Sequence, residues 1–158
     1  MRYTGKDADN QEIASLRRAL EPVFSGLKFS LVELGISKQK GSVQVRAVIY
    51  NGGSIGTDDC SKVHRAITPR LELIFEGSDI YLEVSSPGIN RLIKDGAEFN
   101  HYLGKKVRCY RTDISDWSEG ILESVDEKGI VIMDTIKNEA IKLGFEIIAK
   151  AKLDASNN

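Results

Sequence analysis

Cys60 and His64 stand four residues apart in "TDDCSKVHRAITPRLELIF". On a helix that spacing places two side chains on one face. A thiol beside an imidazole can be a nucleophile pair or half of a metal site. Against that, no third group with recognisable spacing orients His64, and the only other histidine is His101. Cys60 also lies on an apolar stripe with Val63, Ile67, Leu71 and Ile74, so a core cysteine beside a surface histidine is the preferred reading. "GSIG" at 53–56 has the Gly-x-x-Gly form that clamps RNA backbone between two helices in KH domains. Here it joins a strand composition to a helix, and a turn before an N-cap accounts for it better. Asp58 and Asp59 in the first helical turn would repel a phosphate. The chain has no Walker loop, Rossmann fingerprint or Gly-x-Ser-x-Gly. Trp117 is alone, and the aromatics are not interleaved with basic residues along the chain. It could anchor a partner near a turn or be buried, with equal weight. The expectation is a protein that is not an enzyme and uses no cofactor and no metal.

Charge is more informative by segment than in total. The 158 residues carry a net charge of −1, with 41% hydrophobic and 28% charged residues. That is ordinary globular composition, with no global pull toward nucleic acid or membrane. Residues 91–111 hold Arg91, Lys94, Lys105, Lys106, Arg108 and Arg111 against two acids, a net of +4. Residues 112–146 hold nine acids against three lysines, a net of −6. One reading is a basic strip for an RNA backbone followed by acidic loops for a basic protein. The other is a set of solvated strand faces that pair with each other across a sheet.

The elements that must position these charges fall into two halves. "DNQEIASLRRALEPVF" reads as a helix with Asp9 and Glu12 as a capping box and Ile13, Leu16, Leu20 and Val23 on one face. Pro22 is expected to end or kink it. "FSLVELGIS" and "SVQVRAVIY" form a hairpin around "KQKG", with Val43, Val45, Ala47 and Ile49 on the covered face. A second helix starts at Thr57 as N-cap and is expected to bend or split at Thr68-Pro69. The strand Tyr81–Val84 follows. The order α-β-β-α-β predicts a two-layer sandwich over residues 1–88. After it come a short helical piece near Asp95–Leu103 and several short strands with turn glycines. These predict a small β-barrel over residues 89–153, with a frayed tail at 154–158. The fold class is therefore α+β in two domains. The polar start lacks a signal peptide's apolar core, no run is long enough to span a membrane, and two unpaired cysteines suit a reducing compartment. A cytoplasmic protein without membrane attachment is expected.

The run "YLEVSSPGINR" lies where the composition changes. Gly88 suits backbone angles that a side chain would penalise, and Pro87 keeps Ser86 extended. Ser85, Ser86, Pro87, Gly88 and Arg91 are read as an interdomain joint, with Arg91 bracing it or reaching a partner. This run, together with "GTDDCSKVHRAITPRLE", "FNHYLGKKVRC" and "FEIIAKAKL", resembles the ribosome maturation factor RimP family. The likeness extends over about residues 10–153. Where that family carries Asp-Arg-Pro-Leu, this chain has Asn90-Arg91-Leu92-Ile93, so the arginine is kept and the acid and second proline are not. The resemblance implies an α/β N-terminal domain, KH-like in outline, and an SH3-like C-terminal barrel. It also implies a non-catalytic factor that binds the immature small ribosomal subunit in bacteria and promotes its maturation. On that basis Arg91, Lys94, Lys105, Lys106, Arg108 and Arg111 are expected to face ribosomal RNA. Asp113, Asp116, Glu119, Asp126 and Glu127 are expected to face a basic small-subunit ribosomal protein. The protein is expected to be a monomer. The alternative is a general KH-like RNA-binding module not dedicated to ribosome assembly.

Overall fold

The computed structural model describes residues 1–4, 10–88 and 91–154. The proposed Asp9 cap, Asn90 and nearly all of the expected tail lie outside them. The fold is mixed α+β with two sheets. The chain divides into two compact units, Asp7–Pro87 and Met1–Lys6 with Gly88–Asn158. No helix among the described residues is long and apolar enough to cross a membrane.

In the Asp7–Pro87 unit, helix α1 spans Gln11–Ser25. Its N-cap is Asn10, whose Oδ1 accepts from the N–H groups of Glu12 and Ile13, both at 3.1 Å. Those are orphan donors of the first turn. Leu16, Leu20 and Phe24 recur every four residues and are buried. Pro22 does not end the helix, which runs to Ser25. So near the C-terminus its missing N–H costs a single bond. Strands β1 (Ser30–Gln39) and β2 (Ser42–Tyr50) form an antiparallel hairpin, with Gly41 at φ 78° in the turn. Strand β3 (Asp79–Ser85) pairs parallel with β2. A parallel pair needs a crossover. Helix α2 (Thr57–Ile74) supplies it. Val43, Val45, Ala47 and Ile49 of the central strand pack with Leu16, Leu20, Val63, Ile67 and Leu71 in one core.

One expectation for α2 is corrected, and of the two outcomes expected at Thr68-Pro69 the split does not occur. The N-cap is Gly56, not Thr57, and its N–H donates to Asp59 Oδ2 at 2.9 Å. The helix also passes through Pro69 without splitting. Pro69 lies on the exposed face, where water can hydrate the freed carbonyl. One residue earlier, the Thr68 hydroxyl donates to the His64 carbonyl at 2.6 Å. Ile74, placed on the apolar stripe, is 40% exposed.

In the other unit, residues 96–102 form a 3-10 helix, followed by β4 (Lys106–Arg111), β5 (Asp116–Val125), β6 (Gly129–Asp134), β7 (Glu139–Gly144) and β8 (Ile148–Leu153). All pairings are antiparallel, in the order β7-β6-β5-β4-β8. The sheet is open: among the described residues β7 and β8 are not paired, so the expected closed barrel is not formed. The free edge of β8 is already used. Leu92 bridges Lys152, the Ile93 N–H donates to the Ala151 carbonyl, and the Leu153 N–H donates to the Arg91 carbonyl. Gly129 marks a close approach, because a Cβ there would collide with the Leu143 carbonyl of β7.

Residues 1–4 were expected with the first domain, but they pack in this unit. The Gly96 and Ala97 N–H groups at the start of the 3-10 helix donate to the carbonyls of Arg2 and Tyr3 at 2.6 and 2.7 Å. The Met1 amino group donates to the carbonyls of Phe145 and Ile148. The Tyr3 and Phe145 rings lie 6.0 Å apart. Helical N-termini leave donors open, and here a segment distant in sequence fills them.

Candidate functional site

The Cys60–His64 pair shows no catalytic arrangement. His64 Nδ1 lies 3.3 Å from the Thr68 hydroxyl. The Cys60 thiol is pushed above its ordinary pKa, first by burial and then by the Asp59 carboxylate. That is the reverse of what activates a nucleophile. Burial pushes Cys109 up to about 12. A raised pKa keeps the thiol protonated at neutral pH. Cys109 is therefore expected to stay unmodified by a disulfide reagent at pH 8 until the protein is unfolded, and Cys60 to react more slowly than a free cysteine. Timed titration of thiols with and without denaturant checks this; two immediate equivalents in the native state would refute it. The Gly53–Gly56 loop joins β2 to α2. Because Gly56 and Asp59 bond to each other across the start of α2, a carboxylate already occupies the place where a phosphate would sit.

At the expected joint, Ser85 ends β3 and pairs with Val48. Ser86, Pro87 and Gly88 are irregular, and Gly88 has φ 74°, a conformation that favours glycine. Arg91 binds inward. Its Nε and Nη2 donate to Glu98 Oε2 and Oε1 at 3.0 and 2.9 Å. The Tyr102 hydroxyl donates to Glu98 Oε2 at 2.8 Å, and the Lys94 N–H to Oε1 at 3.3 Å. The Arg91 and Glu98 side chains are only 10% and 6% exposed. Burial, and then the Glu98 charge, push the Tyr102 hydroxyl well above its ordinary range. A buried bidentate pair of this kind is a structural brace. Arg91 therefore leaves the basic strip, and its partner Glu98 carried no signal in the sequence beyond its charge.

Several of the remaining charges meet an opposite charge or shape a turn. Arg111 donates to both carboxylate oxygens of Asp113, at 3.1 and 2.7 Å, and its Nη1 lies 3.3 Å from the Ser118 hydroxyl. The hydrogen bond from Arg111 holds the Asp113 carboxyl below its usual range. Glu119 lies 3.6 Å from both Lys106 and Arg108. Asp116 accepts from the Trp117 N–H at 2.8 Å. Asp126 accepts from the N–H groups of Lys128 and Gly129, which lowers its pKa and shapes the β5–β6 turn. Glu127 is exposed in that turn, Lys94 is exposed, and Lys105 is partly covered. Several acids in the segment thus build turns or answer neighbouring cations.

The register of β4 instead assembles a group that is scattered in the sequence. Tyr110 lies opposite Trp117 on β5 and Lys150 on β8. Arg108 lies opposite Glu119 and Lys152. The Tyr110 and Trp117 rings meet edge to face at 5.5 Å. Arg108 Cζ and Lys152 Nζ stand 5.1 and 5.8 Å from the Trp117 ring centre. Aromatic and basic side chains are therefore interleaved in space, although not along the chain. The alternation in "KVRCY" and in "KAK" could have shown that Lys106, Arg108 and Tyr110, and Lys150 and Lys152, each share a face.

The RimP N-terminal domain family model matches residues 19–90. A ribosome maturation factor RimP of Borrelia hermsii (strain HS1 / DAH) is 29% identical over 148 residues, covering 94% of this chain and 98% of that protein. Its counterpart from Borrelia turicatae (strain 91E135) is 28% identical with the same coverage. The first unit thus matches the RimP N-terminal domain over residues 19–90, and the chain as a whole is similar to proteins named ribosome maturation factor RimP over 94% of its length.

Proposed function

We propose that the protein is a cytoplasmic ribosome assembly factor. It binds the immature small (30S) ribosomal subunit as a monomer and promotes its maturation by binding, without catalysis. The observation that carries this reading is the alignment with named maturation factors along 94% of the chain. The open five-stranded sheet, read as an SH3-like module, would present the charged contacts. Lys94, Lys105, Lys106 and Arg108 face ribosomal RNA, while Glu127 and Asp116 face a basic small-subunit ribosomal protein. The KH-like alternative is weaker because Asp59 occupies the helix start beside its Gly-x-x-Gly loop.

The test is sedimentation with small subunits from a strain that lacks the factor. The protein is expected to pellet with them at low salt; recovery in the supernatant would overturn the proposal. Lys105→Glu with Lys106→Glu is expected to weaken binding and to reduce the salt slope by about 1 per lysine. An unchanged slope would remove both lysines from the interface.

A further inference from the structure

We propose that the outward face of β4, β5 and β8 is a stacking platform for single-stranded RNA. The proposal deepens the assembly-factor reading by assigning one RNA-binding surface to it. The face is built in two rows across three strands. One row is Trp117, Tyr110 and Lys150; the next is Glu119, Arg108 and Lys152. The inward positions between them, Val107, Cys109 and Ala151, are fully buried, so alternation along the strands presents the rows outward. Neighbouring strands stand about 4.8 Å apart and successive outward positions about 6.6 Å.

That spacing suits an extended nucleic-acid strand. Lys150 and Lys152 both start from the outer strand β8, and Lys152 Nζ reaches across β4 to within 5.8 Å of the Trp117 ring centre. Across the strands from Lys150 lie the Tyr110 and Trp117 rings, with Arg108 Cζ 5.1 Å from the Trp117 ring centre, so a base that stacks on Trp117 takes the place of one of these cations and frees it for a phosphate. A backbone running along β8 would put its bases over the aromatic centre, and every base offers a π face. An acidic peptide would satisfy the lysines but leave the ring surfaces without a planar partner. Glu119 sits beside Lys106 and Arg108, 3.6 Å from each, which places the carboxylate away from the Lys150 end of the face.

Trp117 is the only tryptophan in the chain, so its fluorescence reports this face directly. The full chain is titrated at low salt with a mixed-sequence single-stranded RNA of about 10 nucleotides, within the span of comparable binding faces. Tryptophan emission and the anisotropy of an end-labelled oligonucleotide are both followed. Binding is expected to quench Trp117. Trp117→Ala is expected to weaken binding roughly 5- to 100-fold, and Trp117→Phe to restore most of it, as a stacking loss requires. Lys150→Glu with Lys152→Glu is expected to weaken binding and flatten its salt dependence, while Lys62→Glu on α2 leaves it unchanged. Binding without quenching, an equal affinity for duplex RNA, or a poly-glutamate peptide that binds as well as the RNA would each overturn the proposal. No ribosomal subunit is present in this titration. A protein that pellets with subunits yet shows no quenching loses the platform and keeps its assembly role; the converse result spares the platform.

Discussion

Glu98→Ala is expected to destabilise the C-terminal unit by about 3–5 kcal/mol, the cost of removing one member of a buried ion pair. The carboxylate accepts from Arg91, Tyr102 and the Lys94 N–H in a site from which water is largely excluded. Removing it takes two charge-assisted hydrogen bonds from the Arg91 guanidinium at 10% exposure and one from the Tyr102 hydroxyl. Replacing both ends, as in Arg91→Met with Glu98→Leu, should cost less than Glu98→Ala alone, because no uncompensated charge remains. Denaturant titration followed by Trp117 emission checks this; equal losses would show that packing, not charge pairing, holds the site. The same group sets an alkaline limit. Tyr102 has a raised pKa in the folded state, so its contribution is fully present below its unfolded pKa of about 10 and is lost as pH rises beyond it.

Leu20→Ala is expected to destabilise the Asp7–Pro87 unit by about 2–5 kcal/mol. Leu20 is fully buried among side chains of α2 and the covered face of β2, and shortening it leaves a cavity that close-packed neighbours fill only in part. Leu73→Ala, at a site 76% exposed, should change stability by less than about 0.5 kcal/mol. Circular dichroism with chemical denaturation measures both; a Leu20→Ala loss as small as that of Leu73→Ala would contradict the core described.

Local patterns were legible where they depend on near neighbours. The four-residue spacing of Leu16 and Leu20, the alternation Val43, Val45, Ala47, Ile49 and the short strands after Lys105 all follow from side-chain period. Neither Pro22 nor Pro69 ends its helix, because a proline's cost depends on whether its freed carbonyl meets water, which a propensity rule does not contain. The closed barrel failed for a longer-range reason: residues 91–93 take the β8 edge that closure would need.

By itself, the sequence determined the order of elements, the covered face of the first sheet and, through Glu83–Gly88, the family likeness. These depend on residue type and local spacing. Only the tertiary structure decided that Arg91 turns inward to Glu98, that residues 1–4 complete the 3-10 helix and that Trp117 meets Arg108 and Lys152. Each of those depends on strand register or on burial, which join residues far apart in the chain. Composition along a segment carries charge but not its neighbours. Between the +4 and −6 stretches, strand register brings Glu119 beside Arg108 and Lys106, which composition alone does not show.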